Sequence, residues 1–165
     1  FSDEGYRHYE VATAGFKYNM MDLQAAIGIH QLERVEQYWQ RRRVVWERYN
    51  AAFRNLPIRL PADPDTETRH AYHLYTILID EHTAQINRDA FLAAMTAHNI
   101  GVGVHYMSIA EYPYYQRKYG WRPEDYPQAM HIGRQTVSLP LSARLSDQDV
   151  DDVISAVESI LLEHG

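Results

Sequence analysis

A chain of 165 residues, 45% hydrophobic and 23% charged, is long enough for one domain with a real core and ordinary in composition for a globular protein. Its formal net charge of −6 argues against a general nucleic-acid binder, and the absence of cysteine removes both a disulfide framework and a zinc–thiolate site. No apolar run approaches the ~20 residues that cross a bilayer and no signal peptide is visible, so a cytoplasmic protein without nucleic-acid or membrane partners is the default expectation.

Residues 1–19 read as an irregular arm. A long helix is expected from about Met20 to Asn55, with Asn19 as its N-cap and Asp22 as a short version of the capping-box acid. A helix start of this kind exposes unpaired backbone N–H groups and favours a nearby anion; Lys17, just upstream, adds a full positive charge. An ordinary capped helix beside a solvated lysine explains the same residues on physics alone. Leu23, Ile27, Leu32, Val35, Trp39, Trp46, Tyr49 and Phe53 recur at near-helical spacing. Gly28 allows a bend or a close helix contact, and Pro57 ends the run because proline cannot continue the hydrogen-bond ladder.

Beyond the helix, Ile58–Leu60 reads as a short strand and Pro61–Arg69 as a loop. His70–Asp80 is the clearest strand, with Tyr72, Leu74, Thr76 and Leu78 on one face and Ala71, His73, Tyr75, Ile77 and Ile79 on the other. Apolar groups on both faces suggest a central strand. Asn87 caps a helix through about His98, with Phe91, Leu92, Ala94 and Met95 inward. Val102–Tyr106 reads as a strand, Glu111–Tyr119 as a short aromatic helix, Pro127–Gln135 as a helix and Thr136–Leu139 as a brief strand. The last helix starts at Ser146 with Asp149 as capping-box acid, and buries Val150, Val153, Ile154, Val157, Ile160 and Leu161. Strands interleaved with helices predict a two-layer α/β domain.

Four ordered blocks carry a more specific message. Gly15-Phe16-Lys17-Tyr18-Asn19-Met20-Met21-Asp22-Leu23-Gln24-Ala25-Ala26-Ile27-Gly28 resembles a signature of the DegT/StrS family of pyridoxal-phosphate-dependent sugar aminotransferases. So do Gln31-Leu32-Glu33 with Arg41-Arg42-Arg43, Ile100-Gly101-Val102-Gly103-Val104-His105-Tyr106, and Ser138-Leu139-Pro140-Leu141 with Ser146-Asp147-Gln148-Asp149. The Lys-Tyr-Asn form of the first block is similar to the branch represented by UDP-4-amino-4-deoxy-L-arabinose aminotransferases. The resemblance covers only the C-terminal portion of such an enzyme. It implies an α/β fold, the C-terminal small domain of a fold-type I aminotransferase that binds pyridoxal phosphate (PLP), in which a long N-terminal helix precedes a two-layer α/β sandwich with a small sheet. Residues 1–19 would be a loop arm from a missing PLP-binding large domain, 20–56 an interdomain and dimer helix, and 57–165 the small domain. The Schiff-base lysine of the family lies upstream of the first block; the lysines here are Lys17 and Lys118, neither in a matching context, so no catalytic residue is assigned to this chain. With its start at Phe1, the expectation is a fragment, inactive alone.

The resemblance also implies site residues. The arm would cross to the neighbouring subunit of a homodimer, where Lys17 and Asn19 help to hold the cofactor phosphate in trans. In an extended loop the two side chains point the same way, and a phosphate wants localised positive charge and N–H donors. Many relatives carry asparagine where this chain has Lys17 and arginine where it has Asn19, which leaves open which of the two meets the phosphate. His105 and Tyr106 would face the nucleotide-sugar substrate, where imidazole and phenol can hydrogen-bond oxygens and pack against a ring; a satisfied core pair is the alternative. Tyr112, Tyr114, Tyr115, Tyr119 and Trp121 read as packing in preference to a substrate mouth. No metal site is expected, because His70 and His73 would point to opposite faces of a strand. Arg41, Arg42 and Arg43 spread around a helix near Glu33, Glu36 and Glu47 and read as surface ion pairs.

The implied reaction moves an amino group from an amino acid, with glutamate as the expected donor, to a keto group of a nucleotide-linked sugar. Cell-surface polysaccharide, lipid A or antibiotic sugar synthesis would use it. Two other readings stay open: a non-catalytic dimerisation or sugar-nucleotide-binding module, and a related PLP-dependent keto-sugar dehydratase in which histidine replaces the lysine. The apolar face of the long helix is expected to pack on the missing domain and the partner subunit, and to drive association when bare.

Overall fold

The computed structural model describes residues 12–163 and divides the chain into two units, Phe1–Val35 and Glu36–Gly165. The first helix, α1 (Asp22–Phe53), continues across that division. It begins two residues later than expected, and Asn19 is not its cap. Gln24 instead reaches back to the Met21 N–H (3.1 Å), while the Met21 carbonyl accepts from Ala25. That is the returning half of a capping box, with glutamine rather than Asp22 as the third-position partner. In the first unit Leu23 and Leu32 are 70% and 73% exposed, and Ile27 and Ile29 are exposed as well. These four project at different angles around the helix, so the apolar surface is a sleeve rather than a stripe, as in helices that end up surrounded. The helix continues through Gly28, and no close contact forms there among the described residues.

The second unit holds a two-stranded antiparallel sheet, β1 (Tyr75–Leu78) and β2 (Thr136–Leu139), with Tyr75 opposite Leu139 and Leu78 opposite Thr136. Helices α2 (Glu81–Ala84), α3 (Arg88–Ala97), α4 (Pro113–Tyr119), α5 (Pro127–Gln135) and α6 (Asp147–Glu163) complete it, with 3-10 turns at Ile109–Glu111 and Pro123–Asp125. Two predicted strands shrink to single bridges at the outer edges. Arg59 exchanges two backbone hydrogen bonds with Leu78, and Gly103 does so with Ser138. β1 is thus flanked on both sides, as its two-sided apolar pattern requires, but it is much shorter than His70–Asp80. The reason lies at Tyr72, whose φ of 47° breaks the alternation and whose N–H is taken by the His70 imidazole (3.1 Å) instead of a ladder carbonyl. Tyr72 therefore joins the same buried cluster as Tyr75 and Ile77, not the face of Leu74 and Thr76.

One core fills the space between the C-terminal half of α1, one face of the sheet, α3 and α6. Val45, Tyr49 and Phe53 meet Tyr75, Ile77, Val137, Phe91, Met95, Val150 and Val157 there, all fully buried. The start of α6 is set locally by a complete capping box: Ser146 Oγ accepts the Asp149 N–H (3.1 Å) and Asp149 accepts the Ser146 N–H (2.7 Å). The Ser146 N–H and hydroxyl hold the Asp149 carboxyl below the usual aspartate range. Arg41 then ties α1 to this start, donating to the Leu145 carbonyl through Nε and Nη2 and to Asp147 (2.8 Å). Of the anticipated ion pairs in the arginine run, Arg43–Glu47 forms (3.6 Å), whereas the Arg41 partner comes from α6. Asn87 caps α3 through the Ala90 N–H as expected.

Candidate functional site

His105 and Tyr106 lie on the segment that leaves the Gly103 bridge. It is not a strand beyond Gly103, and the His105–Tyr106 peptide bond is cis. Side chains of β2 alternate: Val137 and Leu139 enter the core, while Thr136 and Ser138 occupy the opposite face and are buried there too. His105 folds back over Gly103 so that its Nδ1 lies 2.8 Å from Ser138 Oγ. A Cβ on Gly103 would sit 3.0 Å from His105 Cε1, so glycine leaves the ring its place. Tyr106 packs edge-on against the imidazole at 4.8 Å between ring centres and is itself 71% exposed. The pair is therefore neither a satisfied core couple nor two free side chains: the histidine is anchored on one nitrogen and the phenol is open.

The segment after Tyr106 is held from α5. Gly133 presses on the loop so closely that a Cβ there would lie 2.7 Å from the Ser108 nitrogen and 3.3 Å from the Tyr106 carbonyl oxygen. Ser108, nearly buried, accepts the Ala110 N–H and starts the 3-10 turn, and Arg134 pairs with Glu111 at 3.3 Å. The backbone bearing Tyr106 is thus set by contact with a helix and not by its own sequence. Gly133→Ala is expected to cost about 1–3 kcal/mol, the range for overpacking against atoms that cannot step aside. Thermal unfolding and the Tyr106 amide resonance check it; unchanged values for both would show that the loop yields freely.

Lys17 and Asn19 belong to the first unit. Both are exposed, and neither makes a hydrogen bond or ion pair with another described residue. The charge of Lys17 is consequently not neutralised by any of them. The rings of Phe16 and Tyr18 approach each other at 5.8 Å on either side of it. Among the described residues no group of three or more histidines and carboxylates could hold a metal ion, and no helix is long and apolar enough to cross a membrane.

Of the remaining candidates, the aromatic group makes ring contacts while Tyr112, Tyr114 and Tyr119 stay exposed. Tyr115 stacks on Trp121 at 5.6 Å with planes 13° apart, and Tyr119 and Tyr126 flank the indole, so this aromatic group packs on itself. His70 is half-buried against Trp46 whereas His73 is exposed. A cleft of about 650 Å³ between the end of α3 and α6, lined by His98, Asn99, Asp149 and Asp152, contains neither His105 nor Tyr106. Ser138 and Gly133 were not singled out from sequence as site residues. Their signals were a lone hydroxyl between two core residues of a strand, and a glycine inside a helix, where it costs about 1 kcal/mol relative to alanine unless closeness requires it.

The model of the DegT/DnrJ/EryC1/StrS aminotransferase family matches residues 1–158. The chain is 41% identical over 162 residues to the spore coat polysaccharide biosynthesis protein SpsC of Bacillus subtilis, covering 98% of this chain and 42% of that protein. Among solved structures it superimposes on the putative sugar aminotransferase Spr1654 of Streptococcus pneumoniae with a TM-score of 0.81 at 26% identity, over 94% of this chain and 39% of that one. That protein has also been solved in forms with PLP and with pyridoxamine phosphate (PMP). The Helicobacter pylori aminotransferase PseC, involved in pseudoaminic acid biosynthesis, matches at a TM-score of 0.79 and 25% identity, over 93% of this chain and 41% of that one. The chain thus spans about two fifths of the relatives it matches.

Proposed function

We propose that this chain, which belongs to the DegT/DnrJ/EryC1/StrS aminotransferase family, supplies the C-terminal portion of a PLP-dependent sugar aminotransferase. The single observation that carries the reading is the family match, which covers residues 1–158, from the arm that holds Lys17 into α6. In the whole enzyme an amino group would pass from an amino acid, glutamate in the simplest case, to the keto carbon of a nucleotide-linked sugar. The kinship to a spore coat polysaccharide protein favours cell-surface polysaccharide among the routes that use such sugars. Residues 1–19 would act as the arm, 20–56 as the helix between domains and subunits, and 57–165 as the small domain of a cytoplasmic homodimer.

Bound PLP supplies an electron sink for the bonds broken at the amino carbon. The residues here fit a supporting part in that chemistry. Lys17 offers an exposed charge that no described residue neutralises, suited to a phosphate ester, and Asn19 offers amide donors beside it. Such an arm acts in trans, reaching the cofactor of the neighbouring subunit. His105 and Tyr106 would orient the substrate through hydrogen bonds to its oxygens. Neither Lys17 nor Lys118 would carry the cofactor covalently.

The test uses the full-length protein. Reduction with borohydride followed by peptide mapping should place the cofactor on a lysine outside residues 1–165. Incubation with glutamate and a panel of 4-keto nucleotide sugars should yield an amino sugar. A label on Lys17 or Lys118, or a protein that retains no PLP, would overturn the reading.

A further inference from the structure

We propose that Ser138 is a positioning residue that locks His105 in its Nε2–H tautomer, so that the ring offers a hydrogen-bond donor to an acceptor oxygen of the bound ligand. The argument begins with the hydroxyl. Ser138 is 5% exposed, and among the described residues the only side-chain partner of its Oγ is His105 Nδ1, at 2.8 Å. A buried hydroxyl hydrogen left without an acceptor bears the full cost of its lost hydration. If Nδ1 carried the proton it would donate to Oγ, and the serine hydrogen would have nowhere to go. If Nδ1 is bare, the serine donates to it and both groups are satisfied by one bond. Neutral imidazole holds one N–H, which must then sit on Nε2.

The anchoring is rigid from both directions. The Ser138 backbone exchanges hydrogen bonds of 3.1 and 2.7 Å with Gly103, two residues before the histidine, so the same strand residue grips that segment by main chain and by side chain. The missing side chain of Gly103 leaves the ring room to reach Oγ. Nε2 makes no hydrogen bond to a described residue and is not among the side-chain atoms buried without a partner, which are Arg42 Nε, Arg43 Nε and Trp46 Nε1. It is therefore not sealed from solvent, and the Tyr106 ring that packs edge-on against the imidazole is itself exposed. An oriented N–H and the hydroxyl of an exposed tyrosine on adjacent residues suit a ligand rich in oxygen acceptors. That consequence rests on the function proposed above; the tautomer does not.

The experiment reads the imidazole directly. In the full-length protein with 15N-labelled histidine, at about pH 8, well above the ordinary histidine titration, the His105 resonances are assigned by comparison with His105→Gln. The expected pattern is a single neutral form protonated at Nε2, with the Nδ1 signal displaced by an accepted hydrogen bond. Ser138→Ala should return Nδ1 to the position of an unbonded nitrogen and make the Nδ1–H form detectable. Ser138→Thr, which keeps the hydroxyl, should restore the original pattern, and unchanged signals from the other histidines would show that the fold is intact. A wild-type His105 protonated at Nδ1 overturns the proposal whether or not the variants fold, as does an unaltered Nδ1 signal in a folded Ser138→Ala. Nε2–H in a protein that fails to transaminate would reject the aminotransferase reading and leave this one standing.

Discussion

Tyr75→Ala is expected to remove about 3–5 kcal/mol of stability, the range for truncating a large aromatic core residue. Tyr75 is fully buried on β1, and its ring lies 4.8 Å from Trp46, 5.0 Å from Tyr49 and 6.3 Å from Phe53 between centres. Three residues of one helix thus converge on one strand residue. Each edge-on contact adds about 0.5–1.5 kcal/mol beyond the area it buries. The phenol donates to Asn50 Oδ1 at 2.8 Å, and burial first, with Tyr49 and Asp63 adding to it, pushes its ionisation well above the usual tyrosine range, so it stays a neutral donor. Tyr75→Phe should therefore cost only about 0.5–1.5 kcal/mol, the worth of one hydrogen bond. A typical domain has about 5–15 kcal/mol in total, so the alanine variant should lie near the edge of folding and the phenylalanine variant should not. Urea unfolding followed by tryptophan fluorescence, to which Trp39, Trp46 and Trp121 contribute, measures both. An alanine variant within about 0.5 kcal/mol of wild type, the ordinary size of a surface change, would show that the helix and the strand do not share one core.

What could be read without coordinates was decided by short-range chemistry. The bounds of α5 and β2 were legible because Pro127 opens the helix and Pro140 closes the strand. α3 and α6 announced themselves through Asn87 and the Ser146–Asp149 box. The one-turn helix α2 went unread although Asp80 caps it through the His82 and Thr83 N–H groups, because four residues carry no periodicity to notice. The errors share a different cause. Whether a residue lies in a strand depends on a partner elsewhere, and the segments around Arg59 and Gly103 find a partner at one position only. The departure at Tyr72 depends on a histidine side chain replacing a ladder bond. The same limit applied to the site. His105 and Tyr106 were legible as hydrogen-bonding groups, but Ser138 stands 33 positions away and Gly133 acts through another segment's backbone, so antiparallel pairing and helix packing were needed to bring them in.

Lys17→Ala separates the two candidates for the phosphate contact. If the arm reaches a cofactor phosphate in the neighbouring subunit, the ammonium and the phosphate form a charge pair sheltered from water. Truncating one member of such a pair costs about 2–5 kcal/mol, largely because the other charge stays buried without a partner. At 1.4 kcal/mol per tenfold, PLP binding to the full-length protein should weaken by roughly 30-fold to several thousand-fold. Asn19→Ala removes only a neutral hydrogen bond, about 0.5–1.5 kcal/mol, and should weaken binding no more than about tenfold. Titration of apoprotein with PLP, followed by cofactor absorbance, gives both constants. Inorganic phosphate should compete in wild type and lose that ability in the lysine variant, since the proposed contact is to the phosphate and not to the ring. If the arm works in trans in a homodimer, mixing Lys17→Ala subunits with subunits lacking an upstream Schiff-base lysine should restore one competent site per mixed dimer. A lysine variant that holds PLP as tightly as wild type, with Asn19→Ala the weaker binder, would assign the phosphate to Asn19. If neither variant changes the constant, the arm does not touch the cofactor, and the helix start beyond it is no more than a capped end.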